Sequence, residues 1–245
     1  MLEQVHFAVQ YLAMAGKSFL KPRADDSHTN LAFNATTQAF ETWPLDGNGL
    51  KLTFDVPKLQ LKWSTGAILD LVEKNHAQVT KWVTESSPQT GIDKPYVFDL
   101  HYELPFLWNA ELKFEQPDPA KLKRLVQLRI LANNVLDTFL KKEKLESAIR
   151  IWPHHFDTGA FVVLADGSEK SIGMGMAIPD SLVNDHYFYL SAYHGHEGID
   201  TSNFSALAHG EWKNDGFKGA ILPTSEVTTL EAVQFLQEAL GAYLD

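Results

Sequence analysis

The sequence predicts an α+β fold in which mainly antiparallel β-sheet packs with a long central helix and with helices near both ends of the chain. Short segments with alternating apolar residues follow one another between turn residues, which is typical of antiparallel strands. Helical spacing occurs in a few separate places rather than after every strand, and this favours α+β over a parallel α/β fold. The 245 residues are enough for a sizeable core, and 44% of them are hydrophobic.

The N-terminal part reads as a helix followed by sheet. Residues 2–15 form an amphipathic helix in this prediction, because apolar residues recur there at helical spacing. Those residues are Leu2, Val5, Val9 and Leu12. Two alternating segments then flank the turn sequence DGNG at residues 46–49, which indicates a hairpin. Pro57 predicts a bulge or an edge position in the second segment, after which the alternation resumes to Trp63.

The middle of the chain predicts a helix, a strand and the longest helix. Residues 67–84 have apolar residues three and four apart, which indicates one helical face. Residues 96–105 alternate like a strand. The expected core face of this strand consists of Tyr96, Phe98, Leu100 and Tyr102. Asp118-Pro119 then supplies a cap and a first helical residue for a helix that ends near Lys144.

The C-terminal part reads as a series of strands and a last helix. The strand segments are AIRIWPHHF, GAFVVL, SIGMGMAI, HYFYLSAY and GAILP. A turn is expected at Asp166-Gly167, between the second and third segments. Thr228 and Glu231 have the spacing of a capping box and predict the start of the last helix.

We expect residues 1–245 to form a single compact domain, because no linker clearly divides the chain. Two halves, 1–145 and 146–245, share a loose order of hairpin, further strands and helix. A degenerate duplication and a chance similarity both explain that order.

Composition excludes several classes of function. The formal net charge is −10, from 31 acidic and 21 basic residues, which argues against binding to nucleic acid or to an anionic membrane. The chain has no cysteine, so disulfides, a thiolate nucleophile and cysteine zinc sites are excluded. Glu3 and His6 interrupt what would otherwise resemble a signal peptide, and no apolar run is long enough to span a membrane. A cytoplasmic protein is therefore expected.

Histidines between residues 154 and 209 are the strongest chemical signal in the sequence. In an extended chain His194 and His196 share one face, which is a common arrangement for two ligands of a metal ion. His209 and Glu211 are further candidate ligands. Because no HExxH helix or cysteine ligand accompanies them, a divalent metal is not the favoured interpretation.

The segment WPHHFD, residues 152–157, contains the candidate catalytic residues. Adjacent strand residues point to opposite faces, so His154 and His155 are not expected to bind one ion together, whereas His155 and Asp157 share a face. Histidine with a carboxylate partner is a typical acid–base pair near neutral pH. A structural role is the alternative, with Asp157 capping a tight turn before Thr158.

A ligand pocket is a second interpretation of the same region, since aromatic residues are dense there. Its predicted lining consists of Trp152, Tyr187, Tyr189 and Trp212. Convergent hydroxyl groups within an apolar pocket are the usual form of a small-molecule site. The alternative is that these aromatic side chains fill the core.

No nucleotide motif accompanies this pocket, because the chain lacks GxxxxGK[ST], GxSxG and a GxGxxG that opens a helix. Gly173-x-Gly175 lies inside an alternating strand instead, where glycine lets a neighbouring backbone or a flat ring approach closely. The cofactor, if any, is unknown at this point.

The order of several segments resembles an uncharacterised bacterial domain family of unknown function. The resemblance covers most of the chain through SHTNLAF, TWPLDGNGLKLTFDVPKLQLKW, DPAKLKRL, IRIWPHHFD, YFYLSAY and EWKNDGFKGAILPTSEV. It implies one integrated domain and no established activity. It also implies that Phe156-Asp157 is the recurrent part of the W-P-x-H-F-D motif, which argues against an obligatory metal role for His154 or His155.

Two functional hypotheses therefore remain open. The first is a small-molecule-binding protein or an enzyme with a pocket in the C-terminal half, lined by histidine, aspartate and tyrosine. The second is a non-catalytic interaction or scaffold protein with structural histidines. Whether the protein is an enzyme, and its oligomeric state, are undetermined by the sequence.

Overall fold

The computed structural model describes residues 1–165, 167–225 and 227–244. Within them the helices are α1 (Leu2–Phe19), α2 (His76–Ser86), α3 (Pro119–Glu143) and α4 (Thr229–Leu244). The strands are β1 (Ala32–Asn34), β2 (Ala39–Glu41), β3 (Leu52–Asp55), β4 (Gln60–Trp63), β5 (Ile68–Asp70), β6 (Arg150–Trp152), β7 (Asp157–Val163), β8 (Lys170–Ala177), β9 (Tyr187–His194), β10 (Glu197–Gly198), β11 (Glu211–Lys213) and β12 (Gly219–Pro223). The strand pairs whose register is described are antiparallel in both sheets, which confirms the predicted α+β class.

The chain divides into two compact units whose boundaries are not simple halves. The first unit contains Met1–Arg129 and Ile151–Phe156, and the second contains Ile130–Arg150 and Asp157–Asp245. The division within α3 differs from the boundary between residues 145 and 146 that the sequence pattern suggested. Because one helix contributes to both units, its apolar pattern could not mark where either unit ends.

In the first unit the predicted amphipathic helix, α1, is a central helix that is buried over most of its length. Every residue from Val5 to Gly16 is buried, including the polar residues His6 and Gln10. The helix packs against β3. Its apolar stripe was visible in the sequence, but the hydrogen-bond partners that allow the two polar side chains to be buried lie far away in the chain.

The five-stranded sheet of this unit is a simple meander in the order β1-β2-β3-β4-β5. The predicted DGNG hairpin is present, with β2 paired to β3. Pro57 lies in a turn between β3 and β4 rather than at a bulge, and Leu59 in this turn has a positive φ of 51°. The alternation on either side of Pro57 therefore belongs to two strands.

The predicted helix over residues 67–84 was too long at its N-terminal end. Residues 68–70 form β5, and α2 begins only after Asn75, whose side chain accepts a hydrogen bond from Gln78 N while the Gln78 side chain accepts one from Asn75 N. This capping box marks the true start of the helix. Apolar residues on β5 happened to continue the helical spacing.

The second unit contains the sheet order β11-β12-β9-β8-β7, with β10 paired to β9. Arg150, the first residue of β6, also belongs to this unit. Helix α4 packs on β9 and β12 and begins with the predicted capping box between Thr228 and Glu231. Asp166 of the predicted Asp166-Gly167 turn lies outside the described residues. The two sheets differ in strand order, so the loose similarity of the halves does not extend to topology.

In the described ranges, none of the helices combines the length and the apolar character that crossing a bilayer requires.

Candidate functional site

The WPHHFD segment forms a turn rather than a continuous strand. Residues 153–156 connect β6 to β7, Phe156 N donates to Trp152 O at 2.7 Å, and Phe156 has a positive φ of 58°. Strand parity therefore does not apply to the two histidines. Their ring centroids are 4.3 Å apart, so His154 and His155 contact each other, and the expectation that they serve opposite faces is wrong.

This turn is attached to α1 through one carbonyl group. Pro153 O accepts hydrogen bonds from His6 Nε2 at 2.7 Å and from Gln10 Nε2 at 2.8 Å. The His6 ring also stacks on Phe156, with centroids 4.7 Å apart. Burial lowers the pKa of His6 to about 4, against the opposing effect of its bond to Pro153. Because burial keeps the His6 imidazole neutral, the ring acts as an uncharged donor that holds the turn against α1.

Phe156 further contacts a buried arginine. The Arg129 guanidinium carbon lies 4.1 Å from the Phe156 ring centroid, and Arg129 Nη2 donates to Phe156 O at 2.6 Å. Only 1% of Arg129 is exposed. A planar guanidinium group can stack on an aromatic ring and donate in its own plane at once, which lysine cannot do.

Around His154 the first unit gathers several titratable groups. The His154 ring lies 5.5 Å from that of Tyr102, and His101 Nε2 contacts Asp26 Oδ2 at 2.5 Å. Burial and the neighbouring His155 imidazole lower the pKa of His154 to about 4. His154 is neutral at pH 7 as a result, so it can accept a proton only in acid.

Asp157, the third candidate catalytic residue, is buried in the second unit and accepts a hydrogen bond from the Tyr189 hydroxyl through Oδ2. Burial and the Asp157 charge raise the pKa of Tyr189 well above its usual value. Tyr189 is therefore a neutral donor, and Asp157 is engaged by it. This arrangement orients two side chains but leaves that carboxylate oxygen occupied.

Glycine makes room for the Tyr189 ring, as the strand pattern predicted for Gly173-x-Gly175. Gly175 lies opposite Tyr189 in the β8–β9 ladder. A Cβ atom at Gly175 would lie 2.7 Å from the Tyr189 hydroxyl and 2.5 Å from Thr158 O. The close approach of a flat ring is thus confirmed.

The predicted ligand-lining residues of the second unit, Tyr187, Tyr189 and Trp212, do not share one face of its sheet. Trp212 pairs with Ala220, which pairs with Leu190, so Trp212 lies on the sheet face opposite to that of Tyr189. Trp212 packs on Phe204 and Tyr243, with centroids 5.1 and 5.6 Å away.

Tyr187 shares the face of Tyr189 but donates to Asp180 Oδ2 at 2.7 Å. Trp152 ends β6 and belongs to the first unit. Within the second unit, Trp212 is thus held by packing, and Tyr187 and Tyr189 are each held by a hydrogen bond to an aspartate.

The four predicted metal ligands are also spread along the second sheet. Glu211 is level with Ile221 and hence with Tyr189, while His194 lies five residues farther along β9, or about 16 Å at ~3.3 Å per residue. His196 is in the turn after β9, and His209 precedes β11. Within residues 1–165, 167–225 and 227–244, no group of three or more His, Asp or Glu side chains is arranged to hold a metal ion.

A different site, in the first unit, was not predicted from the sequence. Residues 94–115, which we call the strap, run along α1 in the opposite direction: Lys94 Nζ donates to Phe19 O, Tyr102 OH to Gln10 Oε1, and Glu115 N to Gln4 Oε1. The strand predicted over residues 96–105 is not formed: the strap bends at residues 101–102 and 105–106 and has no regular secondary structure up to Leu112. Its even-numbered residues face inward, as predicted for Tyr96 to Tyr102, and this alternation continues to Trp108.

Between the strap, α1 and α2 lies a half-open cavity of about 280 Å³, which we call the strap pocket. Its lining consists of Phe7, His76, Phe98, Leu100, Leu104, Phe106, Leu107, Trp108 and Ala110. Phe7 stacks on Trp108 at 4.2 Å, and His76 meets the Phe98 ring edge-on at 4.5 Å. The volume is close to the lower limit of small-molecule sites, and the lining has their usual apolar and aromatic character.

His76 brings a hydrogen-bonding group to this apolar lining. Its Nδ1 lies 3.1 Å from the Tyr11 hydroxyl, and burial lowers the pKa of the imidazole. Burial also raises the pKa of Tyr11, so both groups are neutral at pH 7. Two signals in the sequence could have located the pocket: the period-two alternation beyond Tyr102, and the Asn75–Gln78 capping pattern that places His76 at the start of a helix.

Comparisons with known proteins add nothing to this geometry, because no family model, no curated protein and no solved structure matched the chain.

Proposed function

We propose that the protein binds a small, mainly apolar molecule in the strap pocket. The observation that carries this proposal is a cavity of about 280 Å³ whose lining is apolar and aromatic apart from His76. Apolar side chains supply affinity by removing ligand surface from water, and a polar group within them supplies orientation. The site differs from the one expected in the C-terminal half, but the class of function is the same.

The strap pocket is supported by side chains that are themselves held in place. Phe7 is 4% exposed and Tyr11 is fully buried on α1, and both contact His76. Tyr96 OH also donates to Tyr11 O at 3.2 Å, which ties the strap to the same turn of α1. A pocket built on a buried helix is already formed before a ligand arrives, so less ordering cost opposes binding.

A thermal-shift and calorimetric screen with naphthalene-sized aromatic compounds tests the proposal. A ligand at about 100 times its Kd should raise the free energy of unfolding by about 2.7 kcal/mol. Leu104→Trp, which fills the pocket, should lower the affinity at least about tenfold. Val97→Trp on the outward side of the strap, where Val97 is 54% exposed, should leave the affinity unchanged and serves as the matched control.

If no compound in the screen stabilises the protein, the proposal is wrong and the non-catalytic scaffold hypothesis is favoured. Equal loss of affinity in both tryptophan variants would place the ligand elsewhere.

We also propose that the protein is cytoplasmic and belongs to the bacterial family that its segment order resembles. The absence of cysteine and the net charge of −10 support the first statement, and the order of the motifs supports the second. Cell fractionation with an antibody to the native protein tests the location.

A further inference from the structure

The hydrogen bond between Tyr11 and His76 determines which ring nitrogen of His76 carries the proton. Tyr11 is fully buried, and His76 Nδ1 is the hydrogen-bond partner of its hydroxyl group in the described part of the chain. If Nδ1 carried the proton, the Tyr11 O–H would be a buried donor without an acceptor, which costs about 1–3 kcal/mol. Tyr11 therefore donates to Nδ1, and the imidazole proton is on Nε2.

His76 lines the strap pocket, and its Nε2–H group is a side-chain donor that the bond to Tyr11 does not use. Nε2 has no hydrogen-bond partner among the described residues and is accessible to solvent. The indole N–H of Trp108, the other side-chain donor of the lining, is buried and has no hydrogen-bond partner among the described residues. Phenylalanine, leucine and alanine side chains form the rest of the lining and contain no polar atoms.

From this arrangement we infer that the strap pocket is selective for neutral carbonyl compounds with an aromatic or branched apolar body. A ketone, aldehyde, ester or tertiary amide oxygen accepts the Nε2–H bond, and none of these groups brings a donor of its own. An alcohol or amine would bring a donor for which the side chains of the lining have no acceptor. A carboxylate would lose its hydration against an uncharged donor, which is costly. The inference rests on the proposed function, because it names the ligand class of the same pocket.

The lowered pKa of His76 agrees with a neutral ligand. Burial is its cause, and the other lining residues of the strap pocket have no ionisable side chain. An uncharged imidazole in an apolar pocket is a good partner for a neutral acceptor, since neither group must give up a full charge's hydration.

Three compounds of similar shape separate the contributions of the apolar body, the carbonyl oxygen and a negative charge to binding. They are 2-ethylnaphthalene, 2-acetylnaphthalene and 2-naphthoate, titrated into the full chain by calorimetry at pH 7.5. His76→Phe keeps an aromatic ring but removes the donor, so it should weaken binding of the ketone at least about tenfold. The hydrocarbon should bind this variant within about threefold of its original affinity. His194→Phe, an exposed site in the second unit, is the matched control and should change neither affinity.

His76→Phe leaves the Tyr11 hydroxyl without its partner, so the double variant Tyr11→Phe with His76→Phe provides a second test. Removing both members of a buried hydrogen bond is often nearly neutral for stability. The double variant should fold and show the same selective loss of the ketone.

The outcomes distinguish this inference from the proposed function. Binding of neither the hydrocarbon nor the ketone to the original protein overturns both. Binding of both compounds with equal losses in the variants overturns carbonyl selectivity but keeps the pocket. Naphthoate binding as tightly as the ketone also contradicts the inference, because it shows that a charged acceptor is tolerated.

Discussion

At the scale of single residues, glycine and tyrosine on neighbouring strands of the second sheet fit each other closely. Gly175 lies opposite Tyr189, and the Tyr189 hydroxyl reaches Asp157 over the space that a side chain at residue 175 would occupy. Tyrosine covers the glycine, and the glycine permits the hydrogen bond. Each residue therefore constrains what the other position tolerates.

Gly175→Ala should destabilise the protein by about 1–3 kcal/mol, because the new methyl group overlaps both backbone and the Tyr189 ring. Urea denaturation followed by circular dichroism measures the change. Gly241→Ala in α4 is the control: a Cβ atom there meets nothing within 4 Å, and alanine in a helix should stabilise by up to about 1 kcal/mol. Equal stability of the two variants would contradict the close fit.

His6 should make the folded protein sensitive to acid. Its pKa is about 4 in the folded chain and near 6.5 when unfolded, so between these values the unfolded state binds more protons. Stability is therefore lost as the pH falls from about 6.5 to about 4, by about 1.4 kcal/mol per pH unit for this group. His6→Gln can still donate to Pro153 O and should remove that share of the slope. An unchanged slope in denaturation curves from pH 4.5 to 7 would show that His6 does not remain neutral.

At the scale of elements, helix starts were predicted best where the cap and the apolar pattern agree. Asp118 caps α3 by accepting from Ala120 N at 2.8 Å, and Thr228 with Glu231 caps α4, and both starts were predicted correctly. The start of α2 was missed because apolar residues on β5 continued the helical spacing. The period alone cannot distinguish these cases, whereas the Asn75–Gln78 capping box does.

Asn75→Ala should loosen the first turn of α2, which contains His76, and should cost about 1 kcal/mol of stability. The ketone affinity of the strap pocket should fall as well, because the donor is less well positioned. Asp118→Ala removes a comparable cap on α3 and should cost a similar free energy without affecting binding. Chemical denaturation and calorimetry measured in parallel test this pair. A similar loss of affinity in both variants would mean that binding follows global stability only.

At the scale of the whole molecule, the sequence predicted the class of fold well, but the strap pocket was not predicted from it. Apolar periodicity, capping residues and turn residues decide whether a segment is helix or strand, and most of these signals can be identified in the sequence. The candidate site depended on which segments meet: His6 with Pro153, or Tyr11 with His76, pairs separated by 147 and 65 residues. The WPHHFD turn illustrates the difference. Its alternating pattern suggested a strand, but residues 153–156 form a turn in which Phe156 has a positive φ.

The division into units has the same origin. The boundary between the units falls after Arg129 within the continuous helix α3, and residues 151–156 return to the first unit. Neither position coincides with a change in amino-acid composition. A unit is defined by contacts between distant segments, and a single sequence without its tertiary contacts contains no direct record of them.

The strap packs side chains against α1, but its backbone is not paired with a neighbouring strand between Phe98 and Trp108. Between Phe98 and Trp108, no backbone N–H donates a hydrogen bond within the described ranges. Amide hydrogens there should exchange with solvent deuterium far faster than those of α1 beneath them, although the strap's aromatic rings remain packed. Ligand occupancy of the strap pocket should slow this exchange. The strap thus offers a time-resolved signal of binding that requires no label and no knowledge of the ligand.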